Sequence, residues 1–191
     1  MRLPLTSGRR RGARRARSSA LAAALASAAV LLAAVVLLPP PAEAGSPAPA
    51  GRHPSEIAKM VCQRKAATEI RDALGEQATI SAPTWAGHRY ACTYRYPTGT
   101  LTLSVQELSS WHQTYRYFDG LARSLHRTRS IFELGEGAFR VRNGSVVVRK
   151  DWKVLLVDVS GLPSRFGSPP SSASEVALAV AGVIMGCWHG D

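Results

Sequence analysis

Acid is scarce at the start of this 191-residue chain. Glu43 is the only Asp or Glu among the first 44 residues, against seven arginines at Arg2, Arg9, Arg10, Arg11, Arg14, Arg15 and Arg17. The whole chain carries +11, but residues 45–191 hold 17 basic and 12 acidic side chains, a net of +5. That surplus is too small for a nucleic-acid groove, and no nucleic-acid partner is expected. Cysteine is limited to Cys62, Cys92 and Cys187, which excludes a disulfide-dense scaffold. None of them directly follows the apolar N-terminal run, so a lipid anchor on cysteine has no attachment point. G-x-S-x-G, P-loop, H-E-x-x-H and paired C-x-x-C motifs are all missing. His112 and His126 can share one side of a helix but would stand roughly 21 Å apart, too far for one metal. Neither cofactor nor metal is expected.

What the N-terminus does hold is an export signal in three parts. Residues 1–19 form an arginine-rich n-region, and Ala20–Leu38 is a 19-residue run of small and apolar side chains. Pro39-Pro40-Pro41 then stops any helix, and Ala42-Glu43-Ala44 fits the small-x-small pattern of signal peptidase, predicting cleavage after Ala44. The N-terminal segment would thus engage the membrane during export. The run also reaches the length of a membrane span, so an uncleaved anchor with the C-terminal domain outside is the alternative. Residues 45–54 (GSPAPAGRHP) read as a Pro/Ala/Gly linker, and residues 55–191 as one exported domain.

Outside the cytoplasm a pair of cysteines is expected to bridge. Three cysteines leave one over. Cys62–Cys92 is the preferred pair and Cys92–Cys187 the alternative, with the leftover Cys187 reading as a buried small hydrophobe. Cys62 is placed on a first helix, Ser55–Leu74, capped by Ser55 and ended by Gly75.

Strands follow. Residues 78–81 form a short one; in 88–96, Tyr90, Cys92, Tyr94 and Tyr96 share a face; Leu101, Leu103 and Val105 alternate in the next. A second helix runs from Ser110 to about His126, with Trp111, Tyr115, Phe118, Leu121, Ala122 and Leu125 as its buried stripe. Residues 138–141 and 145–149 flank Asn143-Gly144, which predicts a type I′ hairpin turn. Residues 152–159 (WKVLLVDV) are nearly continuous apolar, the pattern of a central strand covered on both faces. Ser174 opens a last helix. The order α-β-β-β-α-β-β-β-α, with strands joined by tight turns, predicts an α+β domain with helices packed on a mostly antiparallel sheet.

Two residue groups are candidates for contact. Trp85, Tyr90, Tyr94 and Trp111 are aromatic side chains that can line a pocket, or else serve as ordinary packing. Arg140, Arg142, Arg149, Lys150 and Lys153 cluster around two hairpin turns, where they can meet an anionic envelope surface or simply guard a solvated sheet edge. Leu134-Gly135-Glu136-Gly137 can form a phosphate nest or a bend before the hairpin.

The helix ending Ala73-Leu74-Gly75, the strand Tyr90-Ala91-Cys92-Thr93-Tyr94, the stretch Leu134-Gly135-Glu136-Gly137-Ala138-Phe139, residues 146–160 (VVVRKDWKVLLVDVS) and the terminal Gly186-Cys187-Trp188 carry a resemblance over residues 55–189. The chain resembles the small exported proteins and lipoproteins of unknown function common in actinobacteria. The resemblance implies a Cys62–Cys92 disulfide and no enzymatic residues. The chain departs from the lipoproteins in lacking their lipid-attachment cysteine. The expected function is a secreted or envelope-facing, non-catalytic binding or accessory domain. The alternatives are a membrane-anchored extracellular sensor domain and a hydrolase with a cryptic site using Cys187 or the histidines.

Overall fold

The computed structural model describes residues 51–188. The arginine-rich segment, the apolar run, the cleavage site and most of the linker lie outside the described residues. Among the described residues, no helix is long and apolar enough to cross a membrane.

The α+β class is as expected. Two short helices, α1 (Glu56–Met60) and α2 (Arg64–Leu74), are followed by β1 (Thr79–Ile80), β2 (Thr84–Ala86), β3 (Arg89–Tyr96) and β4 (Gly99–Glu107). Helix α3 (Trp111–Ser124) leads to β5 (Arg127–Ile131), β6 (Gly137–Val141), β7 (Val146–Lys150) and β8 (Lys153–Gly161). A small hairpin, β9 (Arg165–Phe166) and β10 (Ser171–Ser172), precedes α4 (Ala173–Cys187). The main sheet runs β1-β3-β4-β8-β7-β6-β5, every neighbouring pair antiparallel, with β2 also on β3.

Strand alternation divides the core between the two faces. Tyr94, Leu101, Leu103, Val105, Val146, Val148, Leu155 and Val157 join Ile70 of α2 and Val180 and Ile184 of α4 in the larger cluster. Phe139, Val141, Val147 and Val154 face the other way, against Phe118, Leu121 and Ala122 of α3 and Leu125 at its C-cap. Strand β8 contributes to both clusters and lies between β4 and β7, so its continuous apolar pattern did mark a central strand covered on both faces.

Four expectations are corrected. The first helix is not continuous: it breaks over Val61–Gln63, and Cys62 lies in the break rather than on the helix. Gln63 takes extended backbone at φ −85°, ψ 160° and starts α2 afresh, so the apolar spacing across residues 57–74 joins two helices that share a core face. The strand count was too low. Strands β2, β9 and β10 are two or three residues long, too short for a periodic signal, and β5 (RTRSI) is a polar edge strand with little alternation to read.

The Asn143-Gly144 turn is also different. Gly144 N–H donates to the Val141 carbonyl at 3.0 Å and Gly144 alone takes positive φ, +91°. That is a three-residue hairpin loop with the glycine at its left-handed third position, not a type I′ pair. The turn with positive φ at both central residues is Gly87-His88, at +57° and +58°, between β2 and β3. Finally, Trp111 and Tyr115 of the second helix's expected buried stripe are 48% and 49% exposed.

Candidate functional site

The first turn of α3 overhangs the sheet where β7 ends. Ser110 caps the helix by accepting from Gln113 N–H at 3.3 Å, and Thr114 returns its hydroxyl to the Ser110 carbonyl at 2.9 Å. This anchors the helix start and leaves Trp111 and Tyr115 on one side. Beneath them is Arg149, on the α3 face of β7, only 6% exposed. Its guanidinium carbon sits 4.2 Å from the Trp111 ring centre, 5.1 Å from Tyr115 and 5.8 Å from Phe118. A cation under aromatic faces is attracted by the ring quadrupole, about 0.5–2 kcal/mol for each such pair.

Glu136 completes the clamp. Arg149 Nη1 donates to Glu136 Oε2 at 3.0 Å and Nη2 to the Glu136 carbonyl at 2.7 Å, leaving Nε buried without a partner among the described residues. The Leu134–Gly137 stretch is what brings Glu136 there. Gly135 takes φ +61°, and a Cβ on it would lie 2.7 Å from both the Arg149 carbonyl and Val148 Cγ1. Glu136 N–H then donates to the Arg149 carbonyl at 2.8 Å. The glycine-rich stretch is therefore the bend, built to seat an arginine. Phe132, 87% exposed, opens the same loop. Among the described residues, Trp111, Tyr115 and Phe132 are the large hydrophobic side chains left exposed.

The five basic candidates do not share one surface, although Lys150 and Lys153 are register partners where β7 turns into β8. Arg149 faces α3. Its neighbour Lys150 donates to the Trp188 carbonyl at the end of α4, at 2.6 Å. Arg140 lies within electrostatic reach of Glu175 on α4. Lys153 is buried, and Arg142 is exposed in the hairpin turn. The period of two along a strand separates residues that adjoin in sequence.

The four aromatic candidates are divided as well. Trp85 and Tyr90 are register partners on the β2–β3 ribbon, and Trp85 Nε1 donates to the Arg52 carbonyl at 3.0 Å. Tyr94 is wholly buried. Trp111 belongs to the far side of the sheet with α3. Residue types alone missed Tyr115, Phe118, Glu136 and Phe132 as companions of Trp111 and Arg149. The signal was present as Trp111, Tyr115 and Phe118 at helical spacing, but spacing cannot say that a charge lies beneath.

The Cys62–Cys92 disulfide is present, with Cα atoms 5.9 Å apart. Cys187 is the free cysteine. Its thiol donates to Glu69 Oε2 at 3.0 Å, and burial, then that bond and the Glu69 charge, push it up to about 11. The protonated form dominates at neutral pH, the reverse of what a nucleophile needs. Among the described residues no three His, Cys, Asp or Glu side chains come together in a way that could hold a metal ion. Comparison of the chain with protein families, with curated proteins and with solved structures finds no match to any of them.

Proposed function

We propose that this protein is an exported, non-catalytic binding domain that meets its partner with the aromatic end around Arg149. The observation that carries the reading is Trp111, half exposed and held against a buried, ion-paired guanidinium. An exposed tryptophan that is already fixed loses little freedom on binding, and aromatic anchors of this kind dominate interface energetics. Tyr115 and Phe132 extend the patch. Placement outside the cytoplasm is supported by the disulfide and by the N-terminal signal pattern. The protonated Cys187 thiol weighs against a cysteine hydrolase.

The test is co-sedimentation of the purified protein with envelope fractions from its source cells. Wild type is expected to sediment with them, and Trp111→Ala, Tyr115→Ala and Phe132→Ala to weaken retention about tenfold or more each, as interface anchors do. Equal retention by all four proteins, each with a folded melting profile, would remove this surface from consideration. Intact mass of the native protein separates the secreted form from the anchored one: a chain beginning at Gly45 selects the first, retention of residues 20–38 the second.

A further inference from the structure

A cleft of about 260 Å³ opens at the end of the domain near the β3–β4 turn, lined by Glu76, Pro97, Thr98, Pro163, Arg165, Phe166, Gly167 and Pro170. It is bounded by three separate chain segments whose mutual approach leaves no room for side chains. A Cβ on Gly75, at φ +66°, would lie 2.5 Å from the Ser168 carbonyl oxygen, and one on Gly99 would lie 2.4 Å from that of Gly161. Ser168 N–H is bonded to the Leu74 carbonyl at 2.8 Å, tying the β9–β10 loop to the end of α2. The walls are thus pinned, a preformed rather than an induced cleft.

Two side chains of opposite charge line it, Glu76 and Arg165. Glu76 carries no hydrogen bond or ion pair among the described residues. The Arg165 side chain donates Nη2 to the Pro170 carbonyl at 2.7 Å and makes no other hydrogen bond among the described residues, so most of its donors are unused. The nearby Glu175 carboxylate, within electrostatic reach of Arg165, is already engaged by the hydroxyl and N–H of Ser172, at 2.7 and 2.8 Å. Phe166 and the rings of Pro97, Pro163 and Pro170 line the same cleft. Edge-on to Phe166, centroids 4.7 Å apart, is Tyr96, whose buried hydroxyl has no partner among the described residues.

We propose that this cleft binds a compact zwitterion of amino-acid or dipeptide size, its ammonium group at Glu76 and its carboxylate at Arg165, with its apolar part over Phe166 and the prolines. The volume lies just under the roughly 300 Å³ at which pockets for larger organic ligands begin, which suits a ligand of this size. Guanidinium is the side chain suited to a carboxylate, through paired N–H donors. The site is separate from the aromatic end, and neither reading depends on the other.

The test is an amide chemical-shift titration of the folded, disulfide-bonded protein with the twenty free amino acids and a set of dipeptides at millimolar concentration. At least one is expected to move the amides of Thr98, Arg165 and Gly167. Acetylating the amine of that binder should weaken it about tenfold on wild type but not on Glu76→Gln. Amidating its carboxylate should do the same on wild type but not on Arg165→Met, and binding should survive in Trp111→Ala. If no member of the panel moves those amides, or if the blocked derivatives bind as well as the parent, the proposal fails.

Discussion

The Tyr94 hydroxyl donates a 2.7 Å hydrogen bond to the carbonyl oxygen of Val61, the residue at which the first helix breaks. A broken helix leaves carbonyls without their usual N–H partners, and this one lies in the core, where water cannot replace the partner. Tyr94→Phe keeps the ring and removes the donor. It should lower stability by about 1–3 kcal/mol, the cost of an unsatisfied buried acceptor. Chemical denaturation measures this, and an unchanged midpoint would mean that the carbonyl finds another donor.

The same burial makes the protein sensitive to alkali. Desolvation raises Tyr94 well above its ordinary value of 10.0, and raises Tyr96 to about 12 with help from the Glu76 charge. Both folded values exceed the unfolded ones, so the folded state holds its protons longer. Their contribution is full below pH 10 and is lost as pH rises from there through the folded values. Stability should fall steeply above pH 10, and Tyr96→Phe should flatten the slope. A profile unchanged by that substitution would show that other groups control the alkaline limb.

Removing the disulfide removes a constraint on the unfolded chain. Cys62 and Cys92 are 30 residues apart, which by loop entropy corresponds to about 3–4 kcal/mol. The Cys62→Ser, Cys92→Ser double variant should melt lower by that amount under oxidising conditions and match reduced wild type. Equal stability of the variant and oxidised wild type would contradict the entropic role.

Cys187 should react slowly. With the thiol raised to about 11, its thiolate fraction at neutral pH is about 300-fold below that of a free cysteine near 8.5. Iodoacetamide should label it slowly in the folded state, and Glu69→Gln should speed the reaction by removing the acceptor charge. Labelling at the rate of free cysteine would show that the thiol does not rest on Glu69.

In the Val141–Ser145 hairpin, Gly144→Ala should cost more than Asn143→Ala. Gly144 combines φ +91° with a Cβ position 3.2 Å from the Ser174 nitrogen, an expected loss of about 1–2 kcal/mol. Asn143 loses one hydrogen bond, Oδ1 accepting from Ser145 N–H at 3.0 Å, about 0.5–1.5 kcal/mol. Thermal melts of the two variants decide the order.

The core was legible in the sequence because burial leaves a period. Tyr90, Cys92, Tyr94 and Tyr96 alternate, residues 152–159 are nearly continuous apolar, and both read correctly as strand. The break at Val61–Gln63 was not legible, because Ile57, Met60, Ala67, Ile70 and Leu74 all reach one core and keep helical spacing across the interruption. The Arg149 clamp was hidden for a different reason. Trp111, Tyr115 and Phe118 have the spacing of a buried stripe, but only Phe118 also reaches the apolar cluster under α3. The first turn lies over a charge supplied by residue 149, and no local pattern connects the two. The cleft was invisible because its walls come from three segments remote in sequence, Glu76, Pro97-Thr98 and residues 163–170.

Strand β8 is the last long strand in the chain and occupies the middle of the sheet, between β4 and β7. Until Lys153–Gly161 is in place, β4 and β7 each present an unpaired, largely apolar edge, a template for another chain. The slot is filled from two sides at once, by a tight hairpin with β7 and by a partnership with β4 that spans about fifty residues of chain. Loop closure makes the second slower than the first. A molecule truncated near residue 150 would therefore not be a smaller version of this domain but two half-sheets with complementary open sides, primed to recruit the missing strand from a neighbour.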